Sequence, residues 1–146
     1  MAELTDIVYR NLVTTSRIAA SNITAGAAVY LTVTNNKVDM TQNQTCGNGV
    51  FEGVALQTVS ANERVSIAVP PSEVYVAYAT DAGLTGTAGM FLFPSTTEGT
   101  LSNYDINRSS CGTPVAICGK IIEATSSSKV LARLMEGTVV NTSGGF

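Results

Sequence analysis

Six consecutive residues limit the fold more than any others in the chain. In Arg64-Val65-Ser66-Ile67-Ala68-Val69 the apolar Val65, Ile67 and Val69 recur at a period of two, and Pro70-Pro71 stops the run. That period places alternate side chains on one face of a strand. Proline ends the strand because it has no N–H to donate to a sheet. The same signature recurs along the chain. Ala27 to Val33 reads as a strand, Thr34-Asn35-Asn36-Lys37 as a turn and Val38 to Met40 as a return strand. Val50 to Leu56 follows the turn-prone Gly47-Asn48-Gly49. Glu73 to Ala79 is apolar on both faces, with Val74, Val76 and Tyr78 on one and Tyr75, Ala77 and Ala79 on the other, as a strand covered on both sides would be.

Met90 to Phe93 is a short strand closed by Pro94, and Ser95 to Ser110 is a polar loop or weak hairpin. Pro114 to Glu123 and Lys129 to Met135 are the last strands, and residues 137–146 read as a tail. No window sustains a 3.6-residue period with caps at both ends; Ala132 to Glu136 could form a helical turn, but Val130-Leu131 ahead of it favours a strand. Many short strands with Gly- and Pro-rich turns predict an all-β sandwich or barrel. Val54, Leu56, Ile67 and Val69 are its expected core residues.

The chain has 146 residues, which suits one domain. Charged residues are 13% of the chain, against about 25% in an average soluble domain, so Ser, Thr, Asn, Gln and Gly must cover the surface. Such a surface suits packing into an assembly. The net charge is −3 and the cations are scattered, which argues against nucleic-acid binding. No apolar stretch approaches the roughly 18 residues of a membrane span, and the first residues lack a signal-peptide pattern, so no membrane partner and no secretion are expected. Cys46, Cys111 and Cys118 have no metal-like spacing and read as reduced residues in or near the core. The triplets at Asn22, Asn43, Asn107 and Asn141 read as products of an Asn/Ser/Thr-rich composition.

Chemistry is hard to find. The chain has no histidine, which excludes Ser-His and Cys-His pairs within it. Gly83, Gly86 and Gly89 have the wrong spacing for a phosphate loop, and Gly119-Lys120 is followed by Ile121 where a Walker loop has Ser or Thr. Glu52, Glu63, Glu73, Asp81, Glu98 and Asp105 could supply a carboxylate pair for a small hydrolase, but their spacing reads as turn and strand-edge charge. Tyr75 and Tyr78 could line a sugar groove, with core or interface packing the competing assignment. The expectation is a non-enzymatic protein with no cofactor and no metal.

An ordered repeat runs through the chain. Thr24-Ala25-Gly26 precedes an apolar strand, and Phe51-Glu52-Gly53-Val54-Ala55-Leu56 leads through a polar turn into Arg64 to Val69. Thr87-Ala88-Gly89 likewise precedes Met90 to Phe93, and Ile117-Cys118-Gly119-Lys120-Ile121-Ile122 leads into Val130 to Leu134. The first glycines are 63 residues apart and the second pair 66, so the chain reads as two related β-units in one domain.

The stretches Ile18 to Gly26, Phe51 to Leu56 and Glu63 to Val69, followed by Gly119 to Ile122 and Val130 to Leu134, resemble small phage capsid decoration (cement) proteins. The resemblance covers roughly residues 18 to 135, in motifs built of common residues. It implies a small barrel or β-tulip-like body, into which the two β-units of the repeat would fit. It also implies a homotrimer, seated on the outer capsid surface of the virion after assembly in the host cytoplasm. Its partner there would be the major capsid protein, whose lattice it would stabilise, without catalysis. The competing function is a carbohydrate-binding or fibre-like adhesion module. Pro94 to Arg108 departs from the compact family pattern.

The organisation expected is an extended N-terminal arm over residues 1–17, a β domain over 18–136 and a C-terminal tail over 137–146. The arm carries Ile7, Val8, Tyr9, Leu12 and Val13, which are β-prone and apolar. Left alone, such an arm would expose a sticky edge. It therefore either adds as a strand to a partner chain, through those five residues, or folds back as an edge strand of its own domain.

Overall fold

The computed structural model describes residues 8–32, 35–41, 49–80, 86–95, 97–103 and 115–140. Among them every regular element is a strand. The strands are β1 (Val8–Arg10), β2 (Thr14–Ile18), β3 (Ala28–Thr32), β4 (Val38–Met40), β5 (Gly49–Ala55) and β6 (Arg64–Ala68). They continue with β7 (Glu73–Ala77), β8 (Phe91–Pro94), β9 (Leu101–Ser102), β10 (Val115–Ala124) and β11 (Lys129–Val140). The first sheet runs β2-β6-β5-β3-β4 and the second β1-β7-β11-β10-β8-β9, with every pairing antiparallel.

The repeat seen in the sequence is a repeat of topology. Strands β2 to β6 form one unit, and β7 to β11 repeat its order strand for strand, with β1 added outside β7. Registers agree as well. Ala28 faces Val54 and Val54 faces Ala68 in the first unit; Phe91 faces Lys120 and Lys120 faces Arg133 in the second. Each unit then curls until its outermost strands meet at one parallel bridge, Ala19 to Val38 in the first and Tyr78 to Leu101 in the second. The architecture is thus two curled open sheets packed together, and not the single closed barrel that was one of the expected forms.

The repeated glycines explain how both units fold alike. Gly26 and Gly89 sit at φ +88° and +92°, a left-handed conformation that glycine adopts without steric cost. Their N–H groups donate to Ala55 O and Ile121 O, each at 2.8 Å, which seats the start of β3 and β8 on the middle strand of each unit. Gly53 and Gly119 lie where that middle strand presses on its neighbour. An added Cβ would approach Ala68 O to 1.9 Å at Gly53 and Arg133 O to 2.8 Å at Gly119.

Two apolar cores result. One fills the curl of the first unit with Ala19, Ile23, Val29, Val38, Ala55, Val65 and Ile67. The other joins Ala28, Phe51, Val54, Leu56 and Ala68 on the opposite face of that sheet to the interior of the second unit, including Val74, Val76, Tyr78, Leu92, Leu101, Val130 and Leu134. Of the expected core residues, Val54, Leu56 and Ile67 are buried. Val69 is only half-buried: it follows the last ladder residue of β6 and packs at the margin of the first core.

Main-chain bonds tie the units together. Ala77 N donates to Gly26 O at 3.0 Å, Ala28 N to Gly99 O at 2.8 Å and Gly99 N to Thr41 O at 2.8 Å. The donors and acceptors at Gly99 belong to the turn between β8 and β9. The long segment read as a polar loop or weak hairpin therefore holds a strand and part of the joint between units. Similarly, β11 runs to Val140 and takes in the first residues of the expected tail.

Of the residues expected to form the arm, Val8–Arg10 make β1 and residues 14–17 make most of β2. β1 pairs with β7 and β2 with β6. Each is thus an edge strand, paired on one side within the same molecule. Asn11, at φ +55°, turns the chain from the second sheet to the first between these strands.

Candidate interaction surfaces

The five residues expected to meet a partner fall in different settings. Ile7 lies outside the described residues. Val8 and Tyr9 belong to β1, whose backbone is engaged by β7. Leu12 and Val13 lie between β1 and β2 and are 39% and 44% exposed. Val13 is fixed by its backbone: its N–H donates to Ser72 Oγ at 2.8 Å, and its carbonyl accepts from Val69 N at 2.8 Å. Exposure of an apolar side chain on a held backbone marks a contact surface more clearly than exposure on a loose loop.

Among the described residues the other exposed large apolar ones are Met90, at 40%, and Phe91, at 45%, at the start of β8. Phe91 stands on the outer face of the second sheet with Lys120 Nζ 6.0 Å from its ring centre. Farther across the sheet, Lys129 Nζ lies 5.2 Å from the ring of Tyr75. Tyr75 is half-buried, whereas Tyr78 is 3% exposed and belongs to the core, so the two tyrosines do not line one groove.

The carboxylates have structural partners. Glu52 accepts from Arg17 Nε at 2.6 Å, and Glu63 Oε1 accepts from Ser60 N at 2.6 Å, closing the turn before β6. Glu73 is buried on β7 and accepts from Arg133 Nη2 at 2.8 Å and from its Nε at 3.1 Å. Asp81 and Asp105 lie outside the described residues. Among the described residues no three of His, Cys, Asp and Glu gather where they could hold a metal ion. Arg133→Ala is expected to cost roughly 1–3 kcal/mol, because it takes two charge-assisted hydrogen bonds from a buried carboxylate while removing a cation that is itself partly solvated. Urea unfolding at neutral pH reads the loss; an unchanged midpoint would mean that Glu73 is satisfied without Arg133.

Cys118 is a reduced, fully buried thiol, as expected of a core cysteine, while Cys46 and Cys111 lie outside the described residues. Burial pushes the Cys118 thiol far above its ordinary value of 9.0. Its folded pKa is raised, so its contribution to stability is intact below pH 9 and is lost as pH rises beyond that, when only the unfolded chain ionises. The slope is about 1.4 kcal/mol per pH unit for one group. Unfolding free energies measured from pH 8 to 10 should fall more steeply for the natural chain than for Cys118→Ala; parallel slopes would contradict the assignment.

These features define an all-β body of two tandem five-strand units whose exposed apolar residues sit on strand edges and sheet faces. Among solved structures, the chain shares this fold with the N base of the head fiber protein gp8.5 of bacteriophage phi29. The match has a TM-score of 0.56 and 16% identity, and it covers 88% of this chain and 98% of that one. No family model matches the sequence, and neither does any curated protein.

Proposed function

We propose that this chain is a bacteriophage virion structural protein that sits on the outer capsid surface and stabilises the lattice as a decoration protein. The observation that carries this reading is the likeness of fold to the head fiber base, which spans nearly the whole of both chains. The motifs from Ile18 to Val69, with those from Gly119 to Leu134, support the same reading through their resemblance to decoration proteins. A surface with few charges and with apolar side chains on fixed backbone suits a protein that works by contact. In this reading the major capsid protein is the partner and the chain acts as a homotrimer. Nucleic acid, membrane and cofactor have no part in it, and there is no catalysis.

The test is co-sedimentation of the purified protein with empty shells of the major capsid protein encoded in the same genome. Electron microscopy of the pelleted particles completes it. Saturable binding with regular external density is expected. Failure to sediment with mature, expanded shells would end the proposal, and density at isolated single sites would remove the trimer from it.

A further inference from the structure

The duplication exposes an imbalance at one sheet edge. Along β2, the flanking Val13 and Ala19 direct their main-chain groups toward β6: Val13 O accepts from Val69 N and Ala19 N donates to Glu63 O, each at 2.8 Å. Ala20 N points the other way, to Val38 O at 2.7 Å. Main-chain groups alternate in direction along a strand, so Thr14 and Ser16 present N–H and C=O away from β6. Among the described residues no strand pairs with them on that side. Both are exposed.

Registers identify the matching positions in the second unit. Thr15 faces Ile67 as Val74 faces Ala132, and Arg17 faces Val65 as Val76 faces Val130. Thr14 therefore corresponds to Glu73 and Ser16 to Tyr75. There the edge is filled: β1 pairs antiparallel with β7, with Val8 opposite Val74 and Arg10 opposite Glu73. The same slot, built by the same topology, holds a strand in one unit and, among the described residues, none in the other.

The empty slot lacks the usual protection of an edge. From Leu12 to Arg17 there is no proline or lysine, and β2 pairs with β6 without a bulge. Arg17 directs its charge to Glu52 at 2.6 Å, within its own sheet. Leu12 and Val13, two of the four exposed large apolar residues among those described, stand at the mouth of the slot.

We propose that the free edge of β2 receives an extended segment of the capsid shell protein, antiparallel, as β7 receives β1. This rests on the capsid reading above. A second copy has no described strand to lend: its β1 is held by β7, and β4 and β9 are held at the parallel bridges through Val38 and Leu101. The segment that fits is a short β-branched run with an apolar side chain over Leu12 and Val13. Main-chain bonds to Thr14 and Ser16 provide affinity, and the apolar contact sets register.

Two variants test this on the full chain with shells of the major capsid protein. Ser16→Pro removes the outward N–H and leaves the β6 ladder intact. Leu12→Glu combined with Val13→Glu keeps the N–H groups and places charge at the mouth. Both should keep the far-UV spectrum and bind shells more weakly by on the order of tenfold. Amides of Thr14 and Ser16 should exchange more slowly on shells than in the free protein.

If the natural chain binds shells, and the double variant binds equally well or those amides exchange as fast as before, the slot is not the docking site while the capsid reading stands. The exchange measurement and the double variant decide the matter should Ser16→Pro fail to fold. Slow exchange at Thr14 and Ser16 that appears with protein concentration alone would make a second copy the occupant and overturn the proposal. A natural chain that ignores shells overturns both readings.

Discussion

Gly53→Ala is expected to destabilise the protein by about 4 kcal/mol or more, enough to unfold much of the population at 37 °C. The added Cβ would lie 1.9 Å from Ala68 O and 2.9 Å from its carbonyl carbon, and both are backbone. No side chain can swing aside to make room. Val54 is paired with Ala68 on β6 and with Ala28 on β3, so a shift of β5 breaks ladders on both sides. The counterpart Gly119→Ala meets Arg133 O at 2.8 Å, which a shift of a few tenths of an ångström relieves, and should cost roughly half as much. Urea unfolding of the two variants side by side tests both the size and the order of the effects. A Gly53→Ala midpoint equal to that of the natural chain would mean that β5 and β6 are not pressed together as described.

Leu101→Ala is expected to cost about 2–5 kcal/mol, the range for removing a fully buried leucine from a core. Leu101 is 0% exposed and belongs to the core shared by the two units. It also carries the bridge to Tyr78 that closes the second unit, where its carbonyl accepts from Ala79 N at 3.0 Å. Its strand has only two residues, so the side chain does more to hold that strand than the ladder does. Denaturant unfolding reads the loss. A cost below that of a surface substitution, about 0.5 kcal/mol, would show that β9 does not close the second unit.

The alternation in Arg64 to Val69 and the glycine-led repeats were legible because each depends on neighbours within a few residues. They located β3 to β8, β10 and β11 and showed that there are two units. What escaped depends on partners far away in the chain. Leu101-Ser102 is too short to show a period, and only the bridge to Tyr78, with the joint at Gly99, gives it a place. Thr14 to Ile18 carries Thr, Ser and Arg in a pattern that suits an arm or an edge equally. Its pairing with β6, some fifty residues on, decides between them. The candidate surface was half legible: Leu12 and Val13 stand out as apolar residues near a polar terminus. The empty slot beside them becomes visible only when the two units are compared.

The three paired positions at the joint between units have diverged in one direction. In the first unit they are Ala28, Val54 and Ala68, all 0% exposed under the second unit. In the second unit the same positions are Phe91, Lys120 and Arg133, all exposed. A face of small apolar residues accepts another unit; one bearing an ammonium and a guanidinium must strip water from both before anything stacks on it. Head-to-tail contacts of this kind grow into filaments wherever the rotation between units does not close a ring. Lys120 and Arg133 thus give the outer face of the second unit the charged character that the last repeat of a solenoid has.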